Sequence, residues 1–143
     1  MRRRSDTLSG EGAATNPPPG PRHVDPTEQL VVEVFVRDLE LAITFYQALG
    51  FALIDRHDRF AGLAWEDHRF FLDERPGTQA PASPVANVRI MVPDVDAWWR
   101  RARELGASVI DPIADRYYGL RDFTIADPDG FGIRFATRLP RRP

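Results

Sequence analysis

Residues 31–51, VVEVFVRDLELAITFYQALGF, and residues 87–107, NVRIMVPDVDAWWRRARELGA, decide the fold. In the first stretch Val32, Val34 and Val36 share one face of an extended segment while Val31, Glu33 and Phe35 share the other, the period of two expected of a half-buried strand. Asp38 then stands where an N-cap belongs, Leu39, Ala42, Ile43, Tyr46 and Leu49 recur at helical spacing, and Gly50 ends the run. The second stretch follows the same plan: Val88, Ile90 and Val92 alternate, Asp94 caps a helix and Gly106 stops it. Val36, Asp38, Leu49, Gly50 and Ile54 are matched by Val92, Asp94, Leu105, Gly106 and Ile110, each displaced by 56 positions. A constant offset of this kind is the mark of an internal duplication.

Further along each copy the pattern stays extended. Short segments near 51–56, 59–66 and 68–74 follow the first helix, with polar residues at His57-Asp58 and Glu66-Asp67 suited to tight turns. Segments near 107–111, 119–126 and 131–137 follow the second. Each half therefore reads βαβββ, and the prolines and glycine between Arg75 and Pro84 mark residues 75–86 as a linker. The predicted class is α+β: one domain over 30–138, made of modules 31–74 and 87–137 that together form a curved mixed sheet. A lone module cannot bury both faces of its sheet, so two must pack together. The valine-rich strand faces then lie under the helices, and Glu33, Phe35, Asn87, Arg89 and Met91 line the concave side, where a ligand would sit. Residues 1–28, with an Arg triplet, small residues and Pro17-Pro18-Pro19-Gly20-Pro21, have almost nothing large and apolar to bury and are expected to be a disordered leader.

Composition narrows the function. The chain has 143 residues, 43% of them apolar and 28% charged, the balance of one globular domain with a true core. It has no cysteine, which removes disulfides, thiolate metal sites and cysteine nucleophiles. No apolar run approaches a membrane span and no secretory h-region opens the chain, so the expected location is cytoplasmic. Between residues 30 and 137 there are 17 acidic and 12 basic side chains, a net charge of −5 that disfavours nucleic acid as a partner. His57 and His68 fall at turns and His23 in the leader. No phosphate loop, nucleophile elbow or motif-borne carboxylate pair occurs.

Val36-Arg37-Asp38-Leu39, the Leu49-Gly50-Phe51 helix exit, Val92-Pro93-Asp94-Val95-Asp96, and Tyr118-Gly119 leading through Arg121 and Phe123 to Asp127-Pro128-Asp129-Gly130 resemble the vicinal oxygen chelate superfamily of glyoxalases, bleomycin-resistance proteins and extradiol dioxygenases. The resemblance covers about residues 31–137. Enzymes of that superfamily place metal ligands on the first and last strand of each module. Those slots fall here on Val31, Phe71 (or Leu72), Asn87 and Arg134, none of them a carboxylate or imidazole, so no metal and no cofactor is expected.

Among metal-free relatives the chain is most similar to bleomycin-resistance proteins, which sequester a large cationic drug between two subunits. That resemblance implies a homodimer binding a small planar or cationic molecule. The expected ligand-binding residues are the aromatics Phe35, Phe60, Phe71, Tyr117 and Tyr118, the acids Glu33 and Asp73, Asn87, and the arginines Arg89, Arg121 and Arg134. Of these arginines, Arg89 and Arg134 are expected to pair with Glu33 or Asp73. No catalytic residue is expected on this reading; the alternative is an enzyme of the same fold, with an atypical metal site or with Glu33 as a metal-free general base. Trp98 and Trp99 are adjacent on a helix, so one is expected to face the sheet and the other to be exposed or to anchor an interface.

Overall fold

The computed structural model describes residues 20–21 and 23–141, and within them the two halves repeat one another. The first contains β1 (Val32–Val36), α2 (Leu39–Leu49), β2 (Ala52–Arg56), β3 (Phe60–Trp65) and β4 (His68–Glu74). The second contains β5 (Asn87–Met91), α3 (Val95–Glu104), β6 (Ser108–Asp115), β7 (Leu120–Ala126) and β8 (Gly132–Arg138). A helical turn, α1 (Pro26–Gln29), precedes them, capped by the Asp25 carboxylate. It begins inside the stretch expected to be a leader and ends one residue past it, and residues 1–19 and 22 of that stretch are outside the described residues.

Each half builds its own four-stranded mixed sheet, in the orders β1-β4-β3-β2 and β5-β8-β7-β6, with the first strand parallel to the last and the rest antiparallel. The duplication extends to an irregularity. The β2/β3 register shifts between Leu53 and Asp55, and the β6/β7 register shifts between Val109 and Asp111, again 56 positions on. The helix caps are shared as well. Asp38 and Asp94 accept from Leu41 N and Ala97 N, and each helix start is tied to its module's last strand, Leu39 N donating to Glu74 Oε2 and Val95 N to Thr137 Oγ1.

One core serves both modules. The helix-facing sides of the two sheets contribute Val34, Val36, Leu63, Phe70 and Leu72 from one half and Ile90, Phe123, Ile125, Ile133 and Phe135 from the other. Trp98 closes the seam by stacking on Phe135 at 5.3 Å and packing against Trp65 at 5.0 Å. Gly50 makes this possible: its φ is +130°, and a Cβ there would lie 2.9 Å from the Trp98 ring. Trp99 packs edge-on to Phe123 at 5.2 Å, so both tryptophans are half-buried, contrary to the expectation that one is left for a partner. Two residues about 100° apart on a helix find apolar surface because α3 touches its own sheet and the neighbouring module at once.

The Asp127-Pro128-Asp129-Gly130 turn clasps the seam from the other side. Tyr46 Oη donates to Asp127 Oδ2 at 2.6 Å, while Asp127 Oδ1 accepts from the backbone N of Asp129 and Phe131. Arg37 donates to Asp129 Oδ1 at 2.9 Å and to the Pro128 carbonyl. Gly130 has φ +84°, and Pro81 of the linker packs where a Cβ would stand. The faces of the sheets opposite the helices turn away from this shared core.

Candidate functional site

In the first module that outer face is aromatic and acidic. Alternation along β1 puts Glu33 and Phe35 on it, register places Phe71 beside Glu33 and Asp73 beside Phe35, and β3 adds Phe60 opposite Asp73. Phe60 and Phe71 meet edge to face at 5.1 Å. Phe35 is 48% exposed, and the Arg75 guanidinium lies 4.5 Å over its ring. Arg75 also donates twice to Asp73 Oδ2, at 3.0 and 2.8 Å, and these bonds hold the Asp73 carboxyl below the usual range. Gly62 leaves its place on this face to the Asp55 carboxylate.

The corresponding face of the second module is an ion network. Asp122, 2% exposed, accepts from Tyr118 Oη at 2.5 Å, from Arg134 Nε and Nη2 at 2.9 and 2.6 Å, and through its other oxygen from Arg116 Nε at 2.8 Å. Burial alone would raise the Asp122 carboxyl, yet the bonds from Tyr118, Arg116 and Arg134 outweigh it and the group is held below the usual range. Arg134 in turn lies 5.0 Å from the centre of the Tyr118 ring. Burial, then the bond to Asp122, raises the Tyr118 phenol above its ordinary value.

These contacts revise several expected partnerships. Arg134 pairs with Asp122 and not with Glu33 or Asp73, because those acids stand on the other sheet, across the shared core. Arg89 is exposed beside Arg134 in the β5/β8 register, and among the described residues its side chain has neither a hydrogen bond nor an ion pair. Arg121 leaves the group. It shares the helix-facing side of β7 with Phe123 and bonds Asp96 at 3.1 and 3.0 Å and Asp115 at 3.1 Å. Tyr117 is fully exposed in the loop before β7, with its ring edge-on to the Tyr118 ring at 5.1 Å. Asn87 opens β5, exposed, opposite Gly132. Asp122 and Arg116 are the residues that sequence reasoning passed over. A signal for Asp122 existed, since Phe123 and Ile125 on the core side force Asp122 and Thr124 to the outer face.

A divalent ion does not fit the slots the superfamily would use. Val31, Phe71, Asn87 and Arg134 offer no carboxylate or imidazole, and the Arg134 guanidinium is already locked to Asp122. Among the described residues no three His, Cys, Asp or Glu side chains converge. The described residues also include no helix long and apolar enough to cross a membrane.

A cavity of about 440 Å³ opens elsewhere, along the seam between the modules. Phe51, Trp65 and Phe70 line it from the first module, Val88, Ile90 and Met91 from the second, and Arg69 and Arg89 flank it from β4 and β5.

The geometry defines a class: a duplicated βαβββ protein whose outer sheet faces carry aromatic and ionic side chains in place of a metal centre. Residues 23–135 match the family described as the glyoxalase/bleomycin resistance protein/dioxygenase superfamily. The chain belongs to that superfamily. It is 31% identical to a bleomycin resistance protein of Geobacillus stearothermophilus over 123 residues, which span 73% of this chain and 92% of that one. Among solved structures it resembles TioX from Micromonospora sp. ML1, at 27% identity and a TM-score of 0.65, covering 77% of this chain and 98% of that one. The bleomycin-binding protein complexed with bleomycin shares the fold, at 22% identity and a TM-score of 0.64 over 78% of this chain and 99% of that one.

Proposed function

We propose that the protein binds and sequesters a small flat compound, with bleomycin as the first candidate, and that it does so without chemistry on the ligand. One observation carries the reading: the Phe35, Phe60 and Phe71 shelf edged by Glu33 and Asp73, on a sheet face where the superfamily's metal donors are missing. Flat rings beside fixed carboxylates suit a conjugated ligand with cationic groups, each ring contact adding about 0.5–1.5 kcal/mol beyond buried area. The 31% identity to a bleomycin resistance protein supports the same ligand class.

A homodimer completes this reading. Each chain spends its helix-facing surfaces on one shared core, which leaves the outer faces half-open, with Phe35, Met91 and Tyr118 at 39–48% exposure. A second copy supplies the wall that turns an open face into a cleft.

The test is titration calorimetry and thermal melting with bleomycin, beside sedimentation equilibrium of the free protein. Saturating ligand at about a hundred times Kd adds about 2.7 kcal/mol to stability and raises Tm. Phe71→Ala weakens binding about 3- to 10-fold, the value of one ring contact. An unchanged Tm with bleomycin and with aromatic amines alike would rule the reading out.

A further inference from the structure

We infer that the seam cavity is a second, separate ligand site, and that it takes an organic anion with a flat apolar body, such as an aromatic carboxylate. The cavity lies outside the aromatic shelf proposed above and shares none of its side chains. Its volume, about 440 Å³, falls within the range of small-molecule pockets. Its lining is largely apolar: Phe51, Phe70 and Ile90, each at most 8% exposed, stand with Trp65, Val88 and Met91.

The charges at its edge give the ligand its sign. Arg69 on β4 and Arg89 on β5 come from different modules, yet both line the cavity. Among the described residues neither side chain has a hydrogen bond or ion pair, whereas Arg37, Arg56, Arg75, Arg116, Arg121 and Arg134 all have carboxylate partners. Glu66 is the carboxylate on the same rim and His68 the imidazole, so the arginines leave at least one positive charge uncompensated. Guanidinium groups bind carboxylates through two parallel N–H donors. A carboxylate at the rim would pair with Arg69 and Arg89 while the attached ring entered between Trp65, Val88 and Met91.

The experiment is calorimetric titration of the full chain with 2-naphthoate and with 2-naphthamide, its uncharged counterpart of nearly equal shape. Naphthoate is expected to bind at least tenfold more tightly than naphthamide, and the preference is expected to shrink as sodium chloride rises from 50 to 500 mM. Arg89→Gln and Arg69→Gln each lower naphthoate affinity about tenfold and leave naphthamide alone. Val88→Trp, which fills the cavity, abolishes both, while Phe71→Ala on the outer face of the first sheet changes neither. Equal affinity for the two probes, no binding of either, or unchanged naphthoate affinity in the arginine variants overturns the assignment. So does an Arg89→Gln or Val88→Trp protein that binds naphthoate normally but loses self-association, because the seam is then covered by a second copy. Bleomycin titrated into Val88→Trp keeps the two sites distinct, since that variant leaves the aromatic shelf intact.

Discussion

The outer faces of the two modules started from one plan and have diverged in opposite directions. Glu33 in the first module corresponds to Arg89 in the second by the 56-residue offset. Phe71, beside Glu33, corresponds to Arg134, beside Arg89, and Phe60 corresponds to Asp122 through the β3 and β7 registers. An aromatic, acidic face in one module is thus matched by a basic, hydrogen-bonded one in the other. The helix-facing sides show no such divergence, because Val34 and Ile90, Val36 and Val92, or Leu72 and Phe135 must fill the same core. Packing fixes the inner face of a duplicated sheet, and the outer face is left to carry specificity.

The sharpest way to break this comparison is to remove the carboxylate that organises each face. Asp122→Asn leaves Arg116 and Arg134, both less than a third exposed, without their counter-charge, and breaking such a buried set costs about 3 kcal/mol. Asp73→Asn removes the partner of an arginine that is 57% exposed, and urea melts are expected to leave its midpoint unresolved from the parent's. Equal losses in the two variants would mean that the ion network is no more structural than the aromatic shelf.

The seam comes next in size. Tyr46→Phe removes the hydroxyl that holds Asp127 Oδ2 and leaves a buried carboxylate oxygen without that donor, which costs about 1–2 kcal/mol in the same melts. Burial, then the neighbouring Asp127 charge, raises the Tyr46 phenol well above its ordinary value, so the hydroxyl stays a donor throughout the working pH range. The loss is expected to leave the Phe71→Ala effect on bleomycin affinity unchanged, because Tyr46 packs on Phe70 at the helix side of the first sheet while Phe71 stands on the opposite face.

What the sequence disclosed follows from the same division. Both strand–helix units, their caps, their stop glycines and the later strands were legible, because alternation, Asp38, Asp94, Gly50 and Gly106 are local signals. The partners of Arg134 were not. Asp122 and Arg134 lie on neighbouring strands twelve residues apart, and their meeting depends on register, which alternation does not give. Arg121 was misplaced for a simpler reason, since the parity of Phe123 already assigns it to the helix side. Trp98 and Trp99 were read against one sheet, while the fold offers α3 two surfaces. The seam cavity left no local signal at all, because its walls come from β1, β3, β4 and β5 together.

The smallest predicted effect is a pH dependence, and its sign separates the ion network from the clasp. Asp122 is held below the usual carboxylate range, so the folded state binds its proton less tightly than the unfolded chain does. The stability it contributes is complete above the ordinary value near ~4 and is lost as pH falls through the depressed one. Asp127 runs the other way. Burial is the main cause holding its carboxyl up, only partly opposed by bonds from Tyr46, Phe131 and Asp129, so keeping it charged costs stability that returns as pH falls from its raised value toward the ordinary one. Melting temperatures taken from pH 7 down to pH 2 should therefore hold or rise slightly before they fall. Asp122→Asn should flatten the final fall, and Asp127→Asn should remove the early rise while leaving the fall in place. A parent-like acid limb in Asp122→Asn would show that the network is not what fails in acid, and that the second outer face is held by packing alone.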